Sequence, residues 1–112
     1  MSNPILIVED DEDVRATLHS FLERAGFDVA VAHDGAEAIE LLRPDEPPRA
    51  VLVDLLMPGI VGHELLEFLR SEPAYADVPV AIISGSPQLA PAGYRVFAKP
   101  LQPAALLAFL RA

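Results

Sequence analysis

The sequence has no cysteine and few basic residues, and each of these features narrows what the chain can do. Without cysteine there is neither a disulfide framework nor a thiolate metal site, which is compatible with a reducing cytoplasm. The chain has 8 Lys and Arg against 17 Asp and Glu, for a net charge of −9. A negative surface repels nucleic acid backbones and anionic lipids. We therefore expect a cytoplasmic protein that binds neither nucleic acid nor a membrane directly.

Long apolar runs are missing as well. No segment is apolar over the roughly 20 residues that a helix needs to cross a bilayer, and the amino terminus lacks the order of a signal peptide. Hydrophobic residues make up 52% of the 112 residues, which is enough for one core, while the length is too short for two domains. The prediction is one domain over residues 1–112.

The spacing of the apolar residues predicts alternating strands and helices. Short apolar segments, typical of strands buried on both faces, occur at 4–8, 27–32, 50–53, 78–83 and 95–98. Segments with helical spacing occur at 13–25, 34–42, 62–71 and 103–111. This order favours an α/β fold, in which a doubly wound, five-stranded parallel sheet is covered by helices on both faces.

Acidic residues stand where two of the predicted strands end. Glu9 and Asp10 follow the first strand, and Asp54 follows the third. Ligands of such folds bind at the carboxyl edge of the sheet, where clustered carboxylates repel one another unless their pKa values rise or a cation binds. Oxygen-only ligands favour Mg²⁺, which takes one or two carboxylates and keeps several waters. The sequence therefore predicts a magnesium site.

Two further polar residues follow the remaining central strands. Ser84 comes after the fourth strand and Lys99 after the fifth. Beside a cation, the Asp54 carboxylate can act as a nucleophile toward phosphorus while Lys99 neutralises phosphoryl oxygens and Ser84 hydrogen-bonds one of them. The pattern indicates phosphoryl transfer with an aspartyl phosphate as product.

Each of these residues also has a plainer interpretation. Glu9 and Asp10 could belong to the acidic first turn of a helix, favoured by its dipole. Asp54 could cap the next helix, and Ser84 in "SGS" could be a turn residue. Lys99 could be an exposed lysine in a loop, although the strand before it is apolar.

Several segments resemble the receiver domains of two-component response regulators. They are "ILIVEDDEDVR", "DGAEAIELLR", "VLVDLLMPGIVGHELLEFLR", "VAIISGS" and "FAKP", in the family's order over nearly the whole chain. The resemblance implies a flavodoxin-like sheet with strand order 2-1-3-4-5. It also implies a signalling module and not an enzyme, phosphorylated by a sensor histidine kinase or a phosphotransfer protein and acting through altered protein binding.

The resemblance further implies a role for each site residue. Asp54 would be the phosphoacceptor, Asp10 a direct Mg²⁺ ligand and Glu9 a ligand acting through water. The other implied features are a metal ligand at the backbone carbonyl of Leu56, a hydroxyl switch at Ser84, a phosphoryl-binding group at Lys99 and a cis peptide before Pro100.

The sequence departs from the family between the fourth and fifth strands. Lys99 follows Ser84 by 15 positions, which is too few for a full helix between those strands. Pro87 and Pro91 also disfavour a regular helix there, so we predict that this helix, the fourth in chain order, is short or missing. In addition, Val96 stands where many family members have a switch aromatic, and this puts the usual coupling of aromatic and hydroxyl in question.

The last predicted helix is apolar on almost every side, from 104 to 110. A helix on a domain surface normally has a polar face, and an uncovered apolar face often marks an interface. We therefore predict a candidate interface for a homodimer or another protein at Leu106, Leu107, Phe109 and Leu110. The alternative is that the preceding loop covers this face.

The favoured interpretation is a stand-alone phosphoacceptor receiver, because no effector or basic region follows residue 112. An aspartate-nucleophile phosphatase would share Asp54, Lys99 and magnesium, but it normally has a general acid two residues after the nucleophile, where this sequence has Leu56. A phosphorylation-independent docking module is a second alternative. A receiver excised from a hybrid histidine kinase is a third, against which the start "MSNPILIV" counts.

Overall fold

The computed structural model describes residues 3–54 and 61–111. The strands are β1 (Ile5–Val8), β2 (Val29–Ala32), β3 (Ala50–Asp54), β4 (Val80–Ser84) and β5 (Arg95–Ala98). The α-helices are α1 (Glu12–Arg24), α2 (Gly35–Leu41), α3 (Val61–Ser71) and α4 (Pro103–Arg111). Short 3-10 helices occur at Pro73–Tyr75 and Pro87–Leu89. No helix in these two described segments is long and apolar enough to cross a membrane.

The five strands form one parallel sheet with the order β2-β1-β3-β4-β5, which confirms the predicted fold and strand order. β1 lies between β2 and β3, so that Val8 pairs with both Ala32 and Val53. The residues that follow Val8 and Val53 therefore lie side by side at the carboxyl edge of the sheet. This register brings Glu9 next to Asp54.

The central strands bury both faces, because alternate side chains enter two separate core clusters. On one face, Leu6, Val8 and Val53 pack with residues of α2 and α3. On the other face, Ile5 and Ile7 pack with residues of α1 and α4. Each fully buried aliphatic side chain contributes about 1.5–3 kcal/mol to folding. The continuous apolar runs of the sequence are thus explained by a sheet covered on both sides.

Side-chain caps fix the starts of the first two helices. The carboxylate of Asp11 accepts hydrogen bonds from the backbone nitrogens of Asp13 and Val14, at 2.9 and 3.1 Å. Asp34 accepts one from the nitrogen of Glu37 at 2.8 Å, which confirms the helix start that the sequence predicts there. At the other end of α1, Gly26 has a φ of +97°, a conformation that glycine adopts without strain.

The connection between β4 and β5 contains a single 3-10 turn at Pro87–Leu89, which confirms the prediction of a short or missing helix. Tyr94 and Val96 pack against the core cluster on this side of the sheet. Arg70 of α3 donates a hydrogen bond to the Tyr94 hydroxyl at 2.9 Å, and its guanidinium lies 5.4 Å from the ring centroid. A cavity of about 310 Å³ remains between α3 and this connection.

The structure corrects the expectation for the last helix. Leu106 and Leu110 are 1% and 4% exposed and belong to the core cluster with α1 and the sheet. One side of α4 packs against the sheet and α1, and both leucines lie on that side, so they are core residues. Leu107 and Phe109 are half-buried, and the Phe109 ring packs edge-on against Phe97 at 5.7 Å. Pairing of two copies through α4 remains a prediction that would have to use Leu107 and Phe109.

Candidate functional site

The site lies at the carboxyl edge of the sheet. In the described part of the chain, the buried polar residues are Glu9, Asp54 and Ser84, which are 1%, 5% and 2% exposed. All three stand at or just after the ends of the central strands β1, β3 and β4. Burying a polar or charged group costs free energy unless the group is paired. Hydrogen bonds and an ion pair within the site compensate for the burial of these three side chains.

Three carboxylates meet at this edge. Glu9, Asp10 and Asp54 each place one carboxylate oxygen within 4.8 Å of those of the other two. Asp10 is exposed, whereas Glu9 and Asp54 are buried. Oxygen donors without histidine or cysteine suit a hard cation such as Mg²⁺, so the donor set fits the predicted metal. The Leu56 carbonyl, the fourth predicted ligand, lies outside the described residues.

Lys99 connects two of these carboxylates. Its Nζ lies 2.9 Å from Oδ2 of Asp54 and 3.2 Å from Oε1 of Glu9. The backbone supports this placement, since the nitrogen of Lys99 donates to the carbonyl of Ser84 at 3.0 Å. The peptide bond between Lys99 and Pro100 is cis. The site therefore combines a carboxylate cluster with the ammonium group of Lys99, which lies against two of the carboxylates.

The electrostatics of the cluster favour retention of a proton. Burial raises the pKa of Glu9, and the hydrogen bond and negative charge of Asp54 raise it further, to about 7 against the opposing effect of Lys99. Burial acts to lower the pKa of Lys99, but hydrogen bonds and charge from Asp54 and Glu9 outweigh it and leave that pKa raised. Lys99 is consequently a cation at neutral pH, and Glu9 is the group that titrates there.

Ser84 completes the polar edge. Its Oγ accepts a hydrogen bond from the backbone nitrogen of Ser86 at 2.9 Å. A hydroxyl has one donor and two acceptor positions, so the O–H of Ser84 can donate to a group bound at the site while this contact persists. In the sheet register, Ser84 is the residue after Ile83, which pairs with Asp54.

An apolar groove of about 480 Å³ opens beside the site. Val14, Thr17 and Phe21 of α1 form one wall, and Pro100 and Leu101 contribute to the other. Lys99 also borders the groove. The groove therefore lies directly next to Lys99 and the carboxylate cluster.

Two features of the acidic loop, residues 9–11 between β1 and α1, were not anticipated from the sequence. Asp11, which follows the two predicted ligands, caps α1. Arg15 reaches back to the loop, where its Nη1 donates to the backbone carbonyl of Glu9 at 2.9 Å. The available signal for Arg15 was its isolation, because residues 1–23 contain no other Lys or Arg.

The chain belongs to the response regulator receiver domains, since the family model of that description matches residues 5–111. Such domains are the signalling modules of two-component systems. The response regulator MprA of Mycobacterium ulcerans is 39% identical over 84 residues, which are 75% of this chain and 35% of that protein. The chain thus spans about a third of the length of the curated relatives it matches.

Solved structures agree with this assignment. The signal receiver domain of a histidine kinase from Syntrophus aciditrophicus has a TM-score of 0.80 at 25% identity, covering 98% of this chain and 88% of that one. The receiver domain of a sensor histidine kinase from Pseudomonas aeruginosa, which has a magnesium ion in its active-site cleft, gives 0.85 at 23% identity, covering 99% and 96%. The second likeness concerns the fold alone.

Proposed function

We propose that this chain is a phosphoacceptor receiver, which takes a phosphoryl group onto Asp54 from a histidine of a sensor kinase or phosphotransfer protein. The reaction depends on Mg²⁺ and takes place in the cytoplasm. The observation that carries the proposal is the position of Lys99 Nζ, 2.9 Å from the buried Asp54 carboxylate. A cation fixed at that distance can neutralise the oxygens of a group transferred to Asp54.

The transfer is an exchange of two bonds to phosphorus. One carboxylate oxygen of Asp54 forms a bond to phosphorus, and the bond from phosphorus to the donor histidine nitrogen breaks. That nitrogen keeps the electron pair and takes up a proton. In the later hydrolysis, water attacks phosphorus, the bond to the Asp54 oxygen breaks, and inorganic phosphate leaves the regenerated carboxylate.

The neighbouring side chains have distinct tasks in this proposal. Lys99 pairs with the phosphoryl oxygens, and the O–H of Ser84 donates to one of them. Glu9, Asp10 and Asp54 would hold Mg²⁺, with the Leu56 carbonyl expected as a further ligand. When bound, Mg²⁺ supplies positive charge that offsets the negative charge of the phosphoryl group.

The apolar groove beside Lys99 supports a protein as the phosphodonor. A partner seated against Val14, Phe21 and Leu101 would bring a histidine to the edge of the sheet, because the same groove is bordered by Lys99. The negative net charge of the chain favours a partner with a basic docking surface.

Output is proposed to arise from a shift between two conformations of the segment after β4. The hydrogen bond from the Ser86 nitrogen to Ser84 Oγ supports this route, since a movement of Ser84 toward a phosphoryl group would draw Ser86 with it. The altered segment would then change which proteins bind. The stand-alone organisation of the chain stays a prediction.

Intact mass after incubation with acetyl phosphate tests the proposal. Wild type should gain one phosphoryl group with Mg²⁺ and none without it. Asp54→Asn should gain none while keeping its fold, and Asp77→Asn, which changes an exposed aspartate, should behave like wild type. Absence of the gain from wild type would shift the assignment to a docking module, and repeated turnover of a phosphate ester would favour a phosphatase.

A further inference from the structure

The side chain of Arg15 is hydrogen-bonded to a backbone carbonyl of the acidic loop. Its Nη1 donates to the backbone carbonyl of Glu9 at 2.9 Å, in a partly buried contact. Arg15 is the fourth residue of α1, and its own backbone nitrogen donates to the carbonyl of Asp11 at 2.9 Å. The helix therefore fixes one end of this side chain, and the other end holds the loop that precedes the helix.

The position of Arg15 is unfavourable for a simple surface cation. The amino-terminal turn of a helix favours negative charge, and Glu12 and Asp13 follow that preference. Arg15 lies two residues after Asp13 and is the single Lys or Arg in residues 1–23. Among the described residues it nevertheless forms no ion pair with a carboxylate. The guanidinium thus binds a carbonyl and leaves the carboxylates of the site available to a metal.

Backbone contacts hold Glu9 on both sides, and the contact with Arg15 fixes the carbonyl that begins the peptide to Asp10. On one side, the nitrogen of Glu9 donates to the carbonyl of Ala32 at 3.0 Å. On the other side, Arg15 holds the carbonyl of Glu9. Asp10 is exposed, and no other described side chain is shown to bind its carboxylate. The direction of that carboxylate therefore depends on the orientation of the backbone that carries it.

We propose that Arg15 is a positioning residue for the cation site, which orients Asp10 for Mg²⁺ by holding the Glu9 carbonyl. The proposal rests on the Mg²⁺ site of the proposed function. Groups that orient metal ligands are commonly worth about 10-fold to 100-fold in metal affinity. Loss of the Arg15 side chain should therefore weaken Mg²⁺ binding by about 10-fold.

The sign of the effect separates positioning from charge. If Arg15 acted only as a nearby positive charge, its removal would reduce repulsion of the incoming Mg²⁺ and strengthen binding. If Arg15 holds the loop, its removal weakens binding even though one positive charge has been lost. The two interpretations thus predict changes of opposite direction.

The test is calorimetric titration of wild type, Arg15→Met, Arg15→Lys and Arg24→Met with MgCl₂. Arg24 is an exposed arginine in the last turn of the same helix, so its substitution removes the same charge at a distance from the loop. We expect about 10-fold weaker binding by Arg15→Met and unchanged binding by Arg24→Met. Arg15→Lys should recover part of the loss, because an ammonium group can donate to the same carbonyl.

The phosphorylation reaction supplies a second readout. With acetyl phosphate, Arg15→Met should need about 10-fold more Mg²⁺ for half-maximal modification and should reach the wild-type rate when Mg²⁺ saturates. Binding by Arg15→Met as tight as that of wild type, or tighter, would overturn the proposal. If Arg15→Met does not fold, Arg15→Gln decides, because it removes the charge and shortens the side chain that reaches Glu9, and wild-type Mg²⁺ affinity in that variant would overturn the proposal.

The outcomes also separate this inference from the proposed function. Wild type that binds Mg²⁺ but takes up no phosphoryl group would contradict phosphoacceptor activity while leaving the role of Arg15 to the titrations. Wild type that binds no Mg²⁺ would overturn both.

Discussion

Asp54 ends β3 and Lys99 follows β5, two strands away in the sheet, yet the Nζ of Lys99 lies 2.9 Å from Oδ2 of Asp54. The same ammonium group lies 3.2 Å from Oε1 of Glu9. One lysine therefore compensates two buried carboxylates. The free energy of unfolding should therefore depend on whether Lys99 or Mg²⁺ compensates these carboxylates, and unfolding experiments can measure this dependence.

Replacing Lys99 by Met should destabilise the metal-free protein. The change leaves the Glu9 and Asp54 carboxylates without their compensating charge, and for a lysine that keeps some solvent exposure the cost is about 1–3 kcal/mol. Urea unfolding at pH 7.5 without metal measures it. Saturating Mg²⁺ should restore more stability to Lys99→Met than it adds to wild type, and an equal gain in both would contradict this view of Lys99.

The stability of the metal-free protein should fall as the pH rises. The pKa of Glu9 is about 7 in the folded chain, raised from its ordinary value of 4.5. Between these values the unfolded chain loses its proton first, so the folded state binds more protons and loses stability with increasing pH. Above about 7 the contribution is constant. Urea unfolding between pH 4.5 and 8 should show this slope in wild type and not in Glu9→Gln, whereas equal slopes would exclude Glu9 as the source.

Magnesium binding should depend on pH through the same residue. In the proposed function a bound Mg²⁺ uses the Glu9 carboxylate in its charged form, so affinity should rise up to about pH 7 and binding should release part of a proton. Calorimetry in buffers of different ionisation enthalpy measures the release. Asp54→Asn removes the neighbouring charge that helps raise the pKa of Glu9, and should therefore shift the pH dependence of any remaining binding to lower pH. A shift to higher pH would contradict the assigned cause.

Ser84→Ala should both slow phosphorylation and loosen the segment after β4. Losing one hydrogen bond of about 1 kcal/mol corresponds to roughly fivefold in rate, and the Ser86 nitrogen loses its acceptor. Rates with acetyl phosphate and amide exchange at Ser86 measure the two effects. Ser71→Ala is the matched control, because the Ser71 hydroxyl bonds the carbonyl of Phe68 in an exposed contact. Unchanged exchange at Ser86 would separate Ser84 from the turn.

The two central leucines of α4 should respond differently to truncation. Leu106 is 1% exposed, so Leu106→Ala should cost about 2–5 kcal/mol. Leu107 is half-buried, and Leu107→Ala should cost clearly less. Chemical unfolding gives both values. Analytical ultracentrifugation of the Leu107 variant tests pairing through α4, since only a residue with exposed surface can weaken a dimer without weakening the core.

The fold was predictable because its central strands are buried on both faces. Such strands must be apolar throughout, so their ends are visible in the sequence as the points where polar residues begin. The carboxyl ends of parallel strands meet at one edge, and this is why the sequence alone groups Glu9, Asp54, Ser84 and Lys99. The start of β2 was less clear, because Phe27 is apolar but packs under Arg49, at 5.1 Å, before the strand pairing begins at Val29.

Other features depend on contacts that a linear pattern does not contain. An apolar helix such as α4 does not reveal which side meets the sheet, so the burial of Leu106 and Leu110 was not foreseen. The role of Arg15 depends on the path by which its side chain returns to Glu9. Both depend on how neighbouring helices and strands are placed relative to one another. The helical and strand periodicities of the apolar residues, 3.6 and two residues, do not encode that placement.

The single 3-10 turn between β4 and β5 bears on fidelity of signalling. The family resemblance implies a full helix between these two strands, whereas this chain has a proline-containing turn next to the paired side chains of Arg70 and Tyr94. A partner shaped to grip a helix would leave buried polar groups unmatched on this surface, which is an effective means of rejecting a wrong partner. In the proposed function, the shortened connection would therefore disfavour partners that recognise a helix at this position.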